Sequence, residues 1–255
     1  MLKAERINAI LEILHQDGAV NISDLSDRFG VTSMTIRRDL FEIESQENIC
    51  RTHGGAIYQL NDEYRNNIPS LERLPLFQKE KIRIAKKAVE MIKSGDTVFI
   101  GSGTTTFYLA LELQTYNDIT IVTNSLSILN QLAVNGKMNV VLLGGFLRRA
   151  EYSLIGHFTT NMTKEIYVDI VFLGMNGIHP RFGFTSNHPQ EILTDQAILQ
   201  MSSNIIILAD HTKIGRVAPS KTAEINAAKI IITSRGASRE TLDSISQQGV
   251  KVIVV

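Results

Sequence analysis

The sequence holds a single cysteine, Cys50, among 255 residues. One thiol cannot close an internal disulfide, and no Cys/His cluster stands at zinc-site spacing. No apolar run approaches the roughly 18 residues a membrane helix needs. The opening stretch MLKAERINAILEILHQD carries charges throughout and has no continuous apolar signal core. An excess of one charge is missing too, since 26 Lys and Arg balance 26 Asp and Glu. The expectation is a cytoplasmic chain that neither enters a membrane nor requires a metal or cofactor. What remains is ordinary for a chain with a proper core: 44% hydrophobic and 20% charged residues. At about 150 residues per domain, the length suggests one or two domains.

Residues 1–58 are dense in helical periodicity. Ile7, Ile10, Leu11 and Leu14 form one apolar face of a first helix that ends near Asp17-Gly18. Ile22, Leu25 and Phe29 give a short second helix closed by Gly30. Thr32 is placed to cap a third, whose inward face is Ile36, Leu40 and Ile43. Residues 49–51 and 56–58 are short enough to pair as strands around THGG. Residues 59–77, with Pro69, Pro75 and no clean period, read as a linker. From residue 78 to 255, Val/Ile-rich runs such as DTVFIG, DITIVTNS, NVVLLGG and NIIILAD alternate with helical patterns. That alternation predicts an α/β domain with a mostly parallel sheet covered by helices.

With Ile36, Leu40 and Ile43 turned inward, Ser33, Met34, Thr35, Arg37 and Arg38 cover the outer side of the third helix near its start. This arrangement suits a recognition helix in a DNA major groove. Each arginine offers a planar fork for guanine O6 and N7, worth about 1–3 kcal/mol of discrimination. The plain alternative is a solvated face on which Arg38 pairs with Glu42. After the helix, Arg51 and His53 fall on a hairpin tip that Gly54 and Gly55 allow to reverse tightly, so that they straddle the backbone beside the groove. One fact opposes a nucleic-acid reading: residues 1–57 contain six Lys/Arg against nine Asp/Glu, a net charge of −3.

The segments RINAILEIL, VNISDLSDRFGVTSMTIRRDLFEIE and RTHGGA resemble the winged helix-turn-helix head of DeoR-family bacterial transcription regulators. The resemblance implies that Thr32, Ser33, Met34, Thr35, Arg37 and Arg38 meet double-stranded operator DNA, with Arg51, His53 and Gly54 forming the wing. Two-fold operators call for at least a dimer.

A second site is written at FIGSGTTT, where a strand ends and a helix begins. Gly101, Ser102, Gly103, Thr104, Thr105 and Thr106 there supply close-approaching amides, hydroxyls and a positive helix end, a setting for an anion. A Walker loop is excluded because no G-K-[ST] follows, and a dinucleotide fingerprint lacks its third glycine. A plain Gly/Thr turn is the alternative. Asn124, Gly144, Gly145, Arg148 and Lys213 also follow strand ends, where open α/β sheets bind ligands.

The stretch from Lys79 onward resembles the effector domain of the same family, related in fold to ribose-5-phosphate isomerase, through SGTTT, VTNS, LLGG-x-LR, FLG-x-x-GI and LAD-x-x-K-x-G. It implies sensing of a phosphorylated sugar, with Asn176 joining the site. Three positions depart from the family pattern: Asn176 and His179 replace carboxylates, and Asp195 replaces a lysine. A phosphosugar isomerase is the competing enzyme reading, yet it needs a carboxylate base that Asn176 and His179 do not supply, Glu191 being the one substitute in view.

Overall fold

The computed structural model describes residues 2–46, 49–52, 54–58, 69–133 and 138–255. The chain divides into two compact units, Met1–Lys79 and Glu80–Val255. Among the described residues, no helix is long and apolar enough to cross a membrane.

The first unit opens with α1 (Lys3–Asp17), which ends where Gly18 takes the left-handed conformation. Strand β1 (Ala19–Asn21) leads into α2 (Ile22–Phe29), where the Asn21 side chain accepts the Ser23 amide at 3.0 Å and so caps the helix. Gly30 closes α2 in the same way Gly18 closes α1. Helix α3 (Ser33–Gln46) follows, with Thr32 Oγ1 accepting the Thr35 amide at 3.3 Å as the sequence predicts. Strands β2 (Ile49–Arg51) and β3 (Gly55–Tyr58) are antiparallel, and β1 pairs with the other side of β3. Strand β1 leaves no signature in the sequence, because three residues are too few to show a period. Gly55 sits so close to β1 that a Cβ would collide with the Val20 carbonyl. Ile10, Leu14, Ile22, Leu25, Ile36, Leu40 and Ile43 make the core. Leu76 and Phe77, from the stretch read as linker, are buried in it, and the Phe77 amide donates to the His15 carbonyl at 2.7 Å. Residues 59–68 of that stretch lie outside the described residues.

The second unit starts on α4 (Gln78–Val89) and is built on seven parallel strands. Along the sheet these run β15 (Lys251–Val254), β14 (Ile230–Thr233), β12 (Ile205–Ala209), β9 (Ile170–Leu173), β4 (Thr97–Ile100), β5 (Thr120–Thr123) and β6 (Asn139–Leu142). All six neighbouring pairs are parallel. The four residues of β9 and the five of β12 are buried without interruption, as strands covered on both faces must be. The connecting helices include α5 (Thr104–Glu112), α6 (Leu126–Ala133), α7 (His157–Thr163), α8 (Ile192–Leu199) and α9 (Arg239–Ser246).

Two small antiparallel additions escape the sequence reading. One is the hairpin β7 (Phe146–Arg148) with β8 (Ser153–Ile155). The other joins β10 (Gly177–His179), β11 (Gly183–Ser186) and β13 (Ser220–Ala223). After β4 the chain moves to β5 and β6 on one side, then returns to β9 on the other. The sheet therefore has its switch point between β4 and β9, the place where open α/β sheets take ligands.

Candidate functional site

In the first unit, Thr32 is exposed just ahead of α3, Ser33, Arg37 and Arg38 are exposed on it, Met34 is 62% exposed, and Thr35 is half-buried. Ile36, Leu40 and Ile43 are fully buried behind them. Among the described residues, neither Arg37 nor Arg38 has a side-chain hydrogen bond or ion pair. Glu42 is engaged instead by Lys3 at 2.5 Å, so the alternative that pairs it with Arg38 does not hold. Asp39 is taken by Arg6 and Glu44 by Arg51, both at 2.6 Å. Three carboxylates of α3 thus face three cations, and the two arginines of the outer face stand apart from them. The net charge of −3 is therefore unevenly placed, with Arg37 and Arg38 on a face apart from those three carboxylates.

The β2–β3 hairpin is more constrained than the sequence suggests. Arg51 is held by Glu44, and the Gly54 carbonyl accepts the Ile22 amide at 2.8 Å, fastening the tip to α2. His53 lies outside the described residues.

In the second unit, five neighbouring strands deliver the expected ligand-site residues to one edge. Gly101 follows β4, Asn124 follows β5, Gly144 and Gly145 follow β6, Asn176 follows β9, and Lys213 follows β12. Gly101 and Asn176 flank the switch point. Gly103 is the N-cap of α5 with φ +149°, a backbone state that favours glycine. The first-turn amides of Thr104, Thr105 and Thr106 have no acceptor inside the helix. Thr106 is buried, and its hydroxyl donates to the Gly103 carbonyl at 3.0 Å, which makes it a brace for the turn. Ser102 and Thr104 are half-buried, and Thr105 is buried.

The Asn124 side chain donates from Nδ2 to the Leu154 carbonyl at 3.0 Å. Its Oδ1 is buried and has no partner among the described residues, an acceptor awaiting a donor. The Gly144 carbonyl accepts the Thr159 hydroxyl at 2.8 Å, and Gly145 packs so closely on Thr159 that only glycine fits. Asn176 Oδ1 accepts the Ser186 hydroxyl at 3.2 Å and the Asn187 amide at 3.3 Å. His179 ends β10, and its Nδ1 takes the Arg181 amide of the following turn at 3.0 Å. Lys213 lies in a short turn stapled by its amide to the Asp210 carbonyl at 3.1 Å. Arg148 is committed to an ion pair with Glu191.

Asp195 stands beside that pair. Burial pushes its carboxyl well above the usual range, the Glu191 charge pushes the same way, and Arg148 opposes both. Two residues of α4 go unmarked by any motif in the sequence. Lys81 is buried on the inner face of α4 with Ile84, Ala85 and Ala88. A lysine at a core position of an amphipathic helix was the signal for it. Its neighbour Glu80 binds His211 Nδ1 at 2.8 Å and the Ser234 hydroxyl, beyond the ends of β12 and β14.

Comparison with known proteins covers both units. Residues 6–61 match a DeoR-like helix-turn-helix domain, and residues 77–235 match the DeoR C terminal sensor domain. The glycerol-3-phosphate regulon repressor of Escherichia coli K12 is 34% identical over 233 residues, covering 91% of each chain. The lactose phosphotransferase system repressor of Staphylococcus epidermidis is 32% identical over 235 residues, covering 91% of this chain and 92% of the relative. Among solved structures, the sorbitol operon regulator SorC of Klebsiella pneumoniae aligns with TM-score 0.43 and 12% identity, over 96% of this chain and 99% of that one.

Proposed function

The chain belongs to the DeoR family of transcription regulators, and from that premise we propose that it represses a carbohydrate-utilisation operon and is controlled by a phosphorylated sugar. The observation that carries the DNA half is the pair Arg37 and Arg38, exposed on α3 with neighbouring acids engaged elsewhere. Their guanidinium forks read base edges in the major groove, while Ser33, Met34 and Thr35 at the helix start complete the contact. Thr32 sets the start of the helix, and Arg51, His53 and Gly54 form the wing alongside.

For the effector half, the amides of Thr104 and Thr105 with the Ser102 and Thr105 hydroxyls receive the phosphate at the positive end of α5. Asn124 Oδ1 accepts a sugar hydroxyl, and Asn176 and Lys213 border the same edge. Arg148 acts through its pair with Glu191. The protein works in the cytoplasm as at least a dimer, matching a two-fold operator. It binds its sugar phosphate without turning it over, since Asn176 and His179 offer no carboxylate base.

The test is DNA retention with a duplex selected from a random pool by the full-length protein. A panel of phosphorylated sugars is then added one at a time. Release of the duplex by one member supports the proposal; enrichment of no sequence, or no response to any member, defeats the corresponding half.

A further inference from the structure

The face of α3 that bears Met34, Arg37 and Arg38 continues one turn further to Phe41, at i+7, i+4 and i+3 from them. Phe41 is 61% exposed, an unusual place for a large aromatic ring on a charged helix. It is not bare. The Arg51 guanidinium of β2 lies over it, 4.9 Å from the ring centroid. Glu44, one turn beyond Phe41 on α3, completes the arrangement. Its two oxygens accept the Arg51 amide at 3.0 Å and Nε at 2.6 Å. These bonds hold the Glu44 carboxyl below its ordinary range, the backbone amide contributing most.

We propose that Phe41 and Glu44 are positioning residues for DNA recognition, fixing Arg51 against the recognition helix so that wing and helix meet the duplex as one pre-set surface. The inference rests on the DNA-binding reading above and adds two residues to it.

Three features of the contact support it. First, Arg51 shows 39% and Glu44 32% of its side-chain surface, and pairs this open contribute little to stability. What the contact supplies is geometry. Second, Glu44 grips the backbone of β2 as well as the side chain, so the strand itself is registered on α3. Third, a guanidinium that already faces a carboxylate adds less to phosphate neutralisation, which supplies most sequence-independent affinity. Glu44 therefore restrains binding to arbitrary DNA, while the ring keeps Arg51 aimed for the duplex whose contour fits. A head whose charge totals −3 is consistent with that economy of cations.

The test uses the full-length protein, a duplex it selects from a random pool, and a scrambled duplex of equal length and composition. With Glu44→Gln, affinity for the scrambled duplex rises about fivefold, and the salt dependence of log K steepens by about 1, as for one added phosphate contact. With Phe41→Ala, preference for the selected duplex falls about tenfold at an unchanged salt slope. Phe41→Tyr, which keeps the ring, restores the preference. Unchanged slope and preference in Glu44→Gln would overturn the inference, as would full preference in Phe41→Ala. If the parent protein enriches no sequence at all, the DNA-binding reading itself falls, a result distinct from either variant's.

Discussion

Asp39 of α3 clasps Arg6 of α1 with both oxygens, Oδ2 accepting Nε at 2.6 Å and Oδ1 accepting Nη2 at 3.2 Å. The Asp39 side chain is 1% exposed and that of Arg6 9%, so water screens this pair little. The contact sets the angle at which α1 supports the helix that carries Arg37 and Arg38. The hydrogen bond to Asp39 also holds the Arg6 guanidinium above its ordinary range, ahead of the opposing effect of burial.

Removing one partner leaves a buried charge without its counterion, which is more costly than losing the pair. Asp39→Ala is expected to destabilise the head by about 3 kcal/mol, the low end for a broken buried pair. Arg6→Met combined with Asp39→Leu is expected to recover most of that loss. Urea unfolding of the parent, the single variant and the double variant measures it. Equal stability of parent and Asp39→Ala would contradict the buried character of the pair.

The contact between Asp39 and Arg6 was not legible in the sequence, whereas the apolar face beside it was. Ile36, Leu40 and Ile43 repeat at helical spacing and are all buried, which fixes where Arg37 and Arg38 point. In the same way the Val/Ile runs of β4, β5, β6, β9, β12, β14 and β15 announce themselves, because covered strands must be apolar throughout. Pairings across 33 residues carry no periodic signature, so Arg6 and Asp39 read as two surface charges. Strands of three or four residues at β1, β7, β8, β10 and β13 are too short for a period to emerge. Leu76 and Phe77 escaped for another reason: two apolar residues after a proline look like linker until a core receives them. At the candidate ligand site the glycines and threonines of the α5 turn were legible from their strand-to-helix setting. That Thr106 braces the turn, and that Arg148 is taken by Glu191, depends on side-chain direction and was not.

Arg37 and Arg38 differ from the other cations of α3's surroundings in having no described partner. Each is expected to supply base discrimination of about 1–3 kcal/mol if its fork meets a guanine. Arg37→Ala and Arg38→Ala should therefore weaken binding to the selected duplex roughly tenfold or more, and relax the choice at one position each. Binding-site selection repeated with each variant reads the relaxed position directly. Retention of the full sequence preference by both variants would move the reading surface away from α3.

Asp195 yields a prediction in pH. Its carboxyl is raised on folding, chiefly by desolvation and then by Glu191. The folded chain keeps that proton where the unfolded chain has released it. Stability therefore falls as pH climbs above the ordinary Asp value of about 4. Asp195→Asn removes this dependence, so the variant is expected to melt higher than the parent at neutral pH and to match it near pH 4. Thermal melts across that range decide the matter, and a variant less stable at neutral pH would refute the assignment.

The anion turn separates sensing from DNA binding most sharply at Thr105. It sits in the first turn of α5 beside the cap Gly103, buried and with its amide free of any acceptor within the helix. Thr105→Val keeps the volume and β-branching but removes the hydroxyl, so the turn retains its shape. DNA retention should be unchanged, because the reading surface belongs to the other unit. The response to the phosphorylated sugar should weaken by roughly tenfold, the scale of one hydrogen bond to a charged group at about 1.5 kcal/mol. Ligand-induced melting shifts measure binding in the same variant, since a ligand held only by the folded state raises the melting temperature. A variant that responds and shifts as the parent does would place the phosphate elsewhere along the carboxyl edge.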